Sequence, residues 1–180
     1  MIYSPEEDSY LLEEQVLKYS KGKSVLDIGS GSGIQALAAL KSKAKSVLAT
    51  DIDEESINYL RSLNKNKLEI IKSNLFSKIK GKFDLIIFNP PYLPQNAKED
   101  KESAKATTGG KKGDEIILRF LKQAKSHLNK EGIILLLLSS LTPKNRIEKI
   151  LLSSKLKYTI ISEKRLFFES LDVLKIELLL

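Results

Sequence analysis

Short apolar runs alternate with amphipathic segments along the whole chain. Each apolar run has the length of one β-strand, and several end directly at Gly, Asp, Asn or Ser. The segments between them carry apolar residues at the spacing of one helix face. The predicted strands are Ser24–Ile28, Val47–Ala49, Leu68–Ile71, Phe83–Phe88, Gly132–Leu138, Tyr158–Ser162 and Leu171–Leu179. The predicted helices are Ile34–Lys43, Glu54–Leu63, Gly113–Leu128 and Pro143–Leu152, the last with Thr142 as N-cap.

This alternation predicts an α/β fold with a parallel sheet and helices on both faces. The last two strands have no helix between them, so we expect an antiparallel pair there. We find no internal repeat and no linker, which predicts a single domain over residues 1–180. Residues 98–113 lack apolar periodicity and indicate either a plain surface loop or a lid.

Composition is that of an ordinary globular protein, with 42% hydrophobic and 29% charged residues. The longest strictly apolar run, Ile133–Leu138, is too short to span a bilayer. Residues 1–20 show no signal-peptide pattern. We therefore expect a cytoplasmic protein that makes no membrane contact.

Residue usage excludes several kinds of site. The chain has no Cys, which excludes disulfides, thiolate catalysis and Cys-ligated metal. Its one His, His127, falls in a helical segment, and we interpret it as a surface or helix-end residue. We predict no metal site in this chain.

The net charge of +7 favours an acidic partner such as RNA or an RNA-bound protein complex. The lysines, however, are scattered and mixed with Glu and Asp, as on a solvated surface. Contact with nucleic acid is compatible with this charge but not required by it.

A glycine-rich turn follows the first predicted strand. Asp27 lies at the end of the strand, and Gly29, Gly31 and Gly33 follow with the spacing G-x-G-x-G. Glycines here let a ligand approach the backbone and the next helix's N-terminus. A carboxylate at position 27 repels a pyrophosphate but suits a cationic group such as an amino-acid ammonium.

Polar residues also follow the second and third strands. Asp51 lies where an acid takes the hydroxyls of a ribose in doubly wound sheets. Asp53 is the expected N-cap of the next helix. Asn74 can bond an adenine edge while Leu75 covers its face, although an Asn there is also an ordinary turn residue.

The fourth strand ends at the corner Asn89-Pro90-Pro91-Tyr92. Two consecutive prolines remove two backbone donors and fix two φ angles, and they push Asn89 toward extended geometry. The corner therefore presents a stiff tip with bare carbonyls and an amide side chain. All four motifs fall at carboxyl ends of strands, where open α/β sheets bind ligands.

These motifs, in this order, resemble those of the Rossmann-like class I methyltransferases that use S-adenosylmethionine. The resemblance implies a seven-stranded, mostly parallel sheet with a C-terminal antiparallel strand. It also implies that Asp27 and the glycine turn hold the methionine part, Asp51 the ribose, and Asn74 and Leu75 the adenine. Ile52 and Asn89 are expected to contact the cofactor as well. The family more often has Asp at position 74, so we expect an adjusted contact there.

The corner resembles the motif of methyltransferases that act on a planar nitrogen, either a nucleobase amine or a glutamine amide. Such a nitrogen gains positive charge as it attacks the methyl group. The resemblance implies that Asn89 Oδ1 and the Pro90 carbonyl accept its two N–H bonds. The two prolines, Pro90 and Pro91, hold these acceptors in a fixed direction, and Tyr92 packs on the planar amide or base of the substrate.

Residues 3–12, YSPEEDSYLL, locally indicate a helix start with Ser4 as N-cap and Pro5 at the first helical position. They also resemble the opening of the HemK-like glutamine methyltransferases of archaea and eukaryotes, in which Ser9 would touch the cofactor. Residues 106–113 and 169–174 extend the resemblance over nearly the whole chain. The start at this motif implies the short branch of the family.

The HemK-like resemblance implies methyl transfer to the glutamine of the Gly-Gly-Gln loop in a class-1 translation release factor. It also implies a heterodimer with a small zinc-binding activator protein that docks near residues 68–72. We expect that strand at a sheet edge, where Glu69 and Lys72 alone guard it against pairing. A closed edge covered by its own helix is equally compatible with the sequence.

Three alternatives stay open at this point. The first is an amino-methyltransferase acting on adenine, cytosine or guanine of DNA or RNA, although no target-recognition domain is visible. The second is a protein-lysine methyltransferase. The third is a cofactor-binding scaffold subunit without activity, which would need a damaged motif, and none is visible.

Overall fold

The computed structural model describes residues 4–92 and 109–179. Its strands are β1 (Ser24–Ile28), β2 (Ser46–Asp51), β3 (Leu68–Lys72), β4 (Phe83–Phe88), β5 (Leu128–Ser139), β6 (Leu156–Arg165) and β7 (Ser170–Leu178). Its helices are α1 (Glu7–Tyr19), α2 (Ile34–Lys41), α3 (Glu54–Ser62), α4 (Glu115–Ala124) and α5 (Lys144–Ser153), with a 3₁₀ turn at Lys125–His127.

The seven strands form one sheet in the order β3-β2-β1-β4-β5-β7-β6. Neighbours from β3 to β5 pair in parallel, and β7 is antiparallel to both β5 and β6. The predicted mostly parallel sheet, its C-terminal antiparallel strand and the edge position of residues 68–72 are therefore confirmed. The order also reverses between β1 and β4, which is where ligands bind in open α/β sheets.

Each face of the sheet carries its own apolar core. On one face, α1, α2 and α3 pack through residues such as Leu12, Ala39 and Leu60. On the other face, α4 and α5 pack together with a connecting segment that buries Leu75 and Phe76. Strands β1, β4 and β5 are covered on both sides, which explains why their sequences are apolar without alternation.

Two predicted helix caps are wrong and one is confirmed. Helix α1 starts at Glu7 because the Tyr10 amide bonds to the Glu6 carbonyl, so Ser4 lies outside the helix. Helix α5 starts at Lys144 because Pro143 takes an extended conformation. The Thr142 hydroxyl is buried, has no partner among the described residues and does not cap the helix. Asp53 caps α3 as predicted, by accepting from the Ser56 amide.

Other predictions differ from the structure at their ends. The helix predicted over residues 113–128 is shorter, since Gly113 has a φ of 84° before it and a 3₁₀ turn follows Ala124. His127 lies in that turn and stacks on Phe76, so the helix-end interpretation is confirmed. Residues 98–108, predicted as part of a loop or lid, lie outside the described residues, as does Tyr3. Among the described helices, none is long and apolar enough to cross a membrane.

Candidate active site

The four predicted motifs meet at one edge of the sheet. Strands β1, β2, β3 and β4 are parallel and adjacent, so the residues that follow them lie side by side beyond their carboxyl ends. The edge therefore collects the glycine turn after β1, Asp51 at the end of β2, Asn74 after β3 and the Asn89 corner after β4. Helix α1 adds a fifth element, which carries Ser9, the residue predicted to contact the cofactor.

The glycine turn is held in a fixed shape. Gly29, Gly31 and Gly33 have φ angles of 64°, 50° and 79°. At Gly33, which precedes α2, a Cβ would also come within 2.6 Å of Leu60 Cδ2. Any side chain there would be strained and would collide with α3. At Gly31 a Cβ would meet no atom within 4 Å, so space lies open beside the turn.

Asp51 ties this turn to β2. Its Oδ2 accepts from the Gly31 amide at 2.9 Å, and its Oδ1 accepts from the Asp53 amide at 2.9 Å. Each carboxylate oxygen has further acceptor capacity, so these bonds leave the predicted ribose contact available. Ile52, which follows, is 61% exposed at the same edge. The ribose contact of Asp51 and the cofactor contact of Ile52 stay predictions.

Asp27 is a buried acid at the end of β1. Its side chain is 1% exposed, and its Oδ2 has no hydrogen-bond partner among the described residues. Burial raises its pKa from the ordinary 3.8 to about 7, and the negative charge of Asp51 adds to this increase. Hydrogen bonds with the Ser30 side chain and the Ala36 backbone oppose this increase only in part, and a buried charge with an unpartnered oxygen is unfavourable. An incoming cation would relieve this penalty, which fits the predicted contact with the methionine ammonium.

The residues predicted to contact adenine follow β3, beside the end of β2, where the Ser73 amide donates to the Asp51 carbonyl at 2.8 Å. Asn74 is exposed, and its Oδ1 accepts from Arg119 Nη2 at 3.1 Å. Leu75 has a φ of 50°, and its side chain is buried in the core under α4. The structure thus places both residues at the cofactor edge, while their contact with adenine stays a prediction.

The amide of Asn89 is oriented by helix α1. Asn89 Nδ2 donates to Asp8 Oδ2 at 3.1 Å, and Ser9 Oγ lies 3.5 Å from the same nitrogen. Asp8 is itself buried, and its Oδ1 accepts from the Ser9 amide at 2.6 Å. Because the nitrogen is bound to a carboxylate, the oxygen of the amide must point the other way. That oxygen, Oδ1, is buried and has no partner among the described residues.

Helix α2 fixes the start of α1 in turn. Gln35, in the first turn of α2, donates from Nε2 to the Ser9 carbonyl at 2.8 Å. Its Oε1 is buried without a described partner. Ser9 is thereby held between α2 and Asn89, which is compatible with its predicted contact to the cofactor.

The glycine pair before α4 packs directly on the corner. A Cβ on Gly109 would come within 2.6 Å of the Pro91 carbonyl oxygen and 2.3 Å of the Gly113 carbonyl oxygen. Both neighbours are backbone atoms, which cannot swing aside. Gly109 is therefore required for the close packing of this segment against the Pro91 carbonyl of the corner.

Tyr92, the last residue of the corner, is an uncharged aromatic side chain beside Asn89. It is half-buried against the core of α1. Burial raises its pKa, and the nearby carboxylates of Asp8, Glu169 and Glu6 raise it further. The phenol therefore stays protonated at neutral pH, which excludes it as a general base and fits the predicted packing on a flat group.

Three buried acceptors of the site lack donors in the part of the chain that the structure describes. Asp27 Oδ2, Gln35 Oε1 and Asn89 Oδ1 all lie on the elements that meet at this edge. Buried polar atoms in native proteins normally have partners, so these three indicate a ligand that brings donors and positive charge. S-adenosylmethionine has an ammonium and a sulfonium, and a substrate amide brings two N–H bonds. The residues present therefore fit both groups.

Asp8, Gln35 and Gly109 were not assigned a role from the sequence. Asp8 falls inside the YSPEEDSYLL motif, where an acid in the first helical turn is an ordinary dipole-stabilising residue. Gln35 is a polar residue in an otherwise apolar helix segment, IQALAAL, and that contrast was the available signal.

Known proteins similar to this chain are methyltransferases. Residues 6–168 match the family model described as the methyltransferase small domain. A protein of Methanocaldococcus jannaschii, provisionally named as a protein N5-glutamine methyltransferase, is 36% identical over 96% of this chain and 90% of its own length. A release factor glutamine methyltransferase of Borreliella burgdorferi is 37% identical over 70% of this chain, which spans 49% of that relative.

A solved structure shows the same fold over the whole chain. Mtq2 of E. cuniculi, in a complex with Trm112 that is described as responsible for methylation of the eRF1 termination factor, has a TM-score of 0.75. Its sequence is 23% identical, and the match covers 98% of each chain. The predicted resemblance to the HemK-like enzymes and the predicted cofactor are confirmed. The chain belongs to the methyltransferase small domain family and is an S-adenosylmethionine-dependent methyltransferase.

Proposed function

We propose that this enzyme methylates the side-chain amide nitrogen of the glutamine in the Gly-Gly-Gln loop of a class-1 translation release factor. The observation that carries the proposal is the buried Oδ1 of Asn89 in the Asn-Pro-Pro-Tyr corner, which has no partner within residues 4–92 and 109–179. A primary amide offers two N–H bonds in one plane, and a pair of fixed acceptors suits that geometry. The two relatives named for glutamine methylation support the same substrate class.

Asn89 and Pro90 would stabilise the charge that develops on the nitrogen. The lone pair of an amide nitrogen is delocalised, so the nitrogen becomes positive as it attacks. Asn89 Oδ1 and the Pro90 carbonyl would accept its N–H bonds more strongly as that charge grows. The bond from Asn89 to Asp8 keeps Oδ1 aimed at the substrate, so little reorganisation is needed at the moment of transfer.

The cofactor would be held by Asp27 and the glycine turn at its methionine part, and by Asp51 and Ile52 at its ribose side. When bound, S-adenosylmethionine supplies a methyl group on a positively charged sulfur. The Asp27 carboxylate would pair with the methionine ammonium. Tyr92 stays neutral and Asn89 cannot accept a proton at neutral pH, so these residues position the amide and do not deprotonate it before attack. The acceptors lower the barrier, and the proton leaves to water afterwards.

Mass spectrometry of the release factor tests the proposal. The factor is incubated with enzyme and S-adenosylmethionine, with the proposed activator protein present, and the tryptic peptide with the Gly-Gly-Gln loop is examined. We expect a mass gain of one methyl group on the glutamine, and none when the enzyme carries Asn89→Ala. Methylation found instead on a lysine, or on RNA or DNA offered in parallel, would refute the glutamine assignment.

We also propose that a small zinc-binding activator protein docks at the β3 edge. Leu68 and Ile70 pack toward α3, so alternation along the strand turns Ile71 to the opposite face. Ile71 is half-exposed there and belongs to neither core cluster. An edge strand with an apolar side chain on its uncovered face is suited to strand addition by a partner. Any zinc would belong to that partner.

Co-purification with the activator tests this edge. Ile71→Asp should abolish the complex, because it places a charge in the docking face without disturbing the core. Tyr59→Asp, on the exposed side of α3, is the control and should keep the complex. Normal binding by Ile71→Asp, with full activity of the isolated chain, would refute the docking model.

A further inference from the structure

The turn between β6 and β7 exposes two adjacent aromatic side chains. Phe167 is 93% exposed and Phe168 is 86% exposed, and their rings form an edge-to-face pair with centroids 4.7 Å apart. Large apolar side chains that are exposed together commonly mark an interaction site. We call residues 166–169 the aromatic tip.

The aromatic tip is rigidly attached at the active-site edge. The Leu166 amide donates to the Glu169 carbonyl at 2.8 Å, which closes the hairpin. The Ser139 hydroxyl donates to the Glu169 carboxylate, and the Ser140 amide donates to the Ser170 carbonyl at 2.8 Å. Because Ser139 ends β5, the tip projects beyond the same carboxyl edge that carries Asn89. Leu166 itself packs back onto the core, so only the phenylalanines point away.

The tip is also connected to the residues that orient Asn89. Lys164, on the hairpin arm, forms an ion pair with Glu7, which is adjacent to Asp8 in α1. Glu169 lies close enough to Tyr92 for its charge to raise the pKa of the phenol. The aromatic pair therefore lies at the rim of the acceptor site.

We propose that the aromatic tip docks the protein substrate, by packing on an apolar segment that flanks the methyl-accepting glutamine. This inference rests on the proposed function. A polypeptide bound at the corner must leave the site past its rim, and aromatic side chains, Phe included, are enriched at protein interfaces. The hydrogen bonds of the hairpin fix the backbone that carries both rings, which lowers the cost of ordering this segment on binding.

The charges of the hairpin favour a polypeptide over RNA or DNA. Aromatic side chains that stack on bases normally work beside cations that neutralise phosphates. Here the two basic side chains nearest the tip each face a carboxylate: Lys164 pairs with Glu7, and Arg165 Nε lies 3.0 Å from Glu163 Oε1. With Glu169 also present, these charged groups carry no excess of positive charge for phosphates.

Steady-state kinetics with the release factor tests the tip. We expect F167S/F168S to raise KM for the factor about 10- to 100-fold, with kcat and S-adenosylmethionine affinity nearly unchanged. F167Y/F168Y keeps both rings and should behave like the wild type. Leu152→Ser removes a side chain that is 74% exposed on α5 and is the matched control; its KM should not change.

The outcomes separate the two proposals. If the wild type does not methylate the release factor, the proposed function falls and the docking inference falls with it. If the wild type methylates it and F167S/F168S has a normal KM, the docking inference alone is refuted. It is equally refuted if the double variant loses single-stranded RNA binding at unchanged KM, or if it dissociates a homodimer at unchanged KM. A KM increase confined to F167S/F168S supports it.

Discussion

Replacing Asp27 by Asn should stabilise the ligand-free enzyme while weakening its cofactor binding. The folded protein holds Asp27 at a pKa of about 7, against 3.8 ordinarily. That difference of about 3 pH units corresponds to roughly 4 kcal/mol at 1.36 kcal/mol per unit. It is an upper estimate of how much the ionised carboxylate destabilises the fold, since an amide of the same shape carries no charge.

The sign follows from proton binding. The folded state holds the proton more tightly than the unfolded chain, so stability falls as pH rises from about 4 to about 7 and levels off above that. Below the unfolded pKa the two states bind the proton equally and the term vanishes. Between pH 5 and pH 8, the wild type should lose about 2–3 kcal/mol relative to Asp27→Asn.

Urea unfolding at pH 5, 6, 7 and 8 measures this difference. Asp84→Asn, at the opposite edge of the sheet, is the control, because the pKa of Asp84 is shifted in the opposite direction. Burial acts to raise the pKa of Asp84, but hydrogen bonds from Ser24 and Asn129 outweigh it and lower that pKa. Asp84→Asn should therefore lose stability near neutral pH. If wild type and Asp27→Asn have parallel pH profiles, Asp27 is not a raised-pKa acid and its assignment to a cationic ligand loses its basis.

Three further predictions concern the corner. Asp8→Asn should lower kcat about 10-fold or more, since one hydrogen bond to a charged group is lost, with unchanged cofactor affinity, whereas the neighbouring Glu7→Gln should be nearly normal. Gly109→Ala should push the corner out of place and lower kcat at least about 10-fold; wild-type turnover would disprove this contact. Asn89→Ala should abolish methylation while losing less cofactor affinity than Asp51→Ala does in calorimetric titration; full turnover at saturation would reject the acceptor role.

Much of the fold and site could be predicted because it depends on local pattern. Apolar runs identify strands, and parallel strands must bring their carboxyl ends to one edge, so Asp27, Asp51 and Asn89 could be placed together from sequence. The caps at Ser4 and Thr142 were wrong because the extended residues directly before the first helical turns are Glu6 and Pro143. A local cap rule cannot detect that displacement.

The contacts that complete the site depend on long-range packing. Asp8 and Asn89 are far apart in sequence, and their hydrogen bond exists only once α1 packs across the sheet. The role of Gly109 likewise requires the position of the Pro91 carbonyl. The exposure of Phe167 and Phe168 could not be anticipated, since aromatic residues next to a strand normally predict burial.

The position of β7 between β5 and β6 has a consequence for synthesis of the protein on the ribosome. Strand β6 is made before β7 but pairs only with it. Until β7 emerges, β5 has an open edge and β6 has no sheet to join. The hairpin that contacts α1 through Lys164 therefore forms after the parallel strands, and α1 gains this ion pair only once β7 has been made.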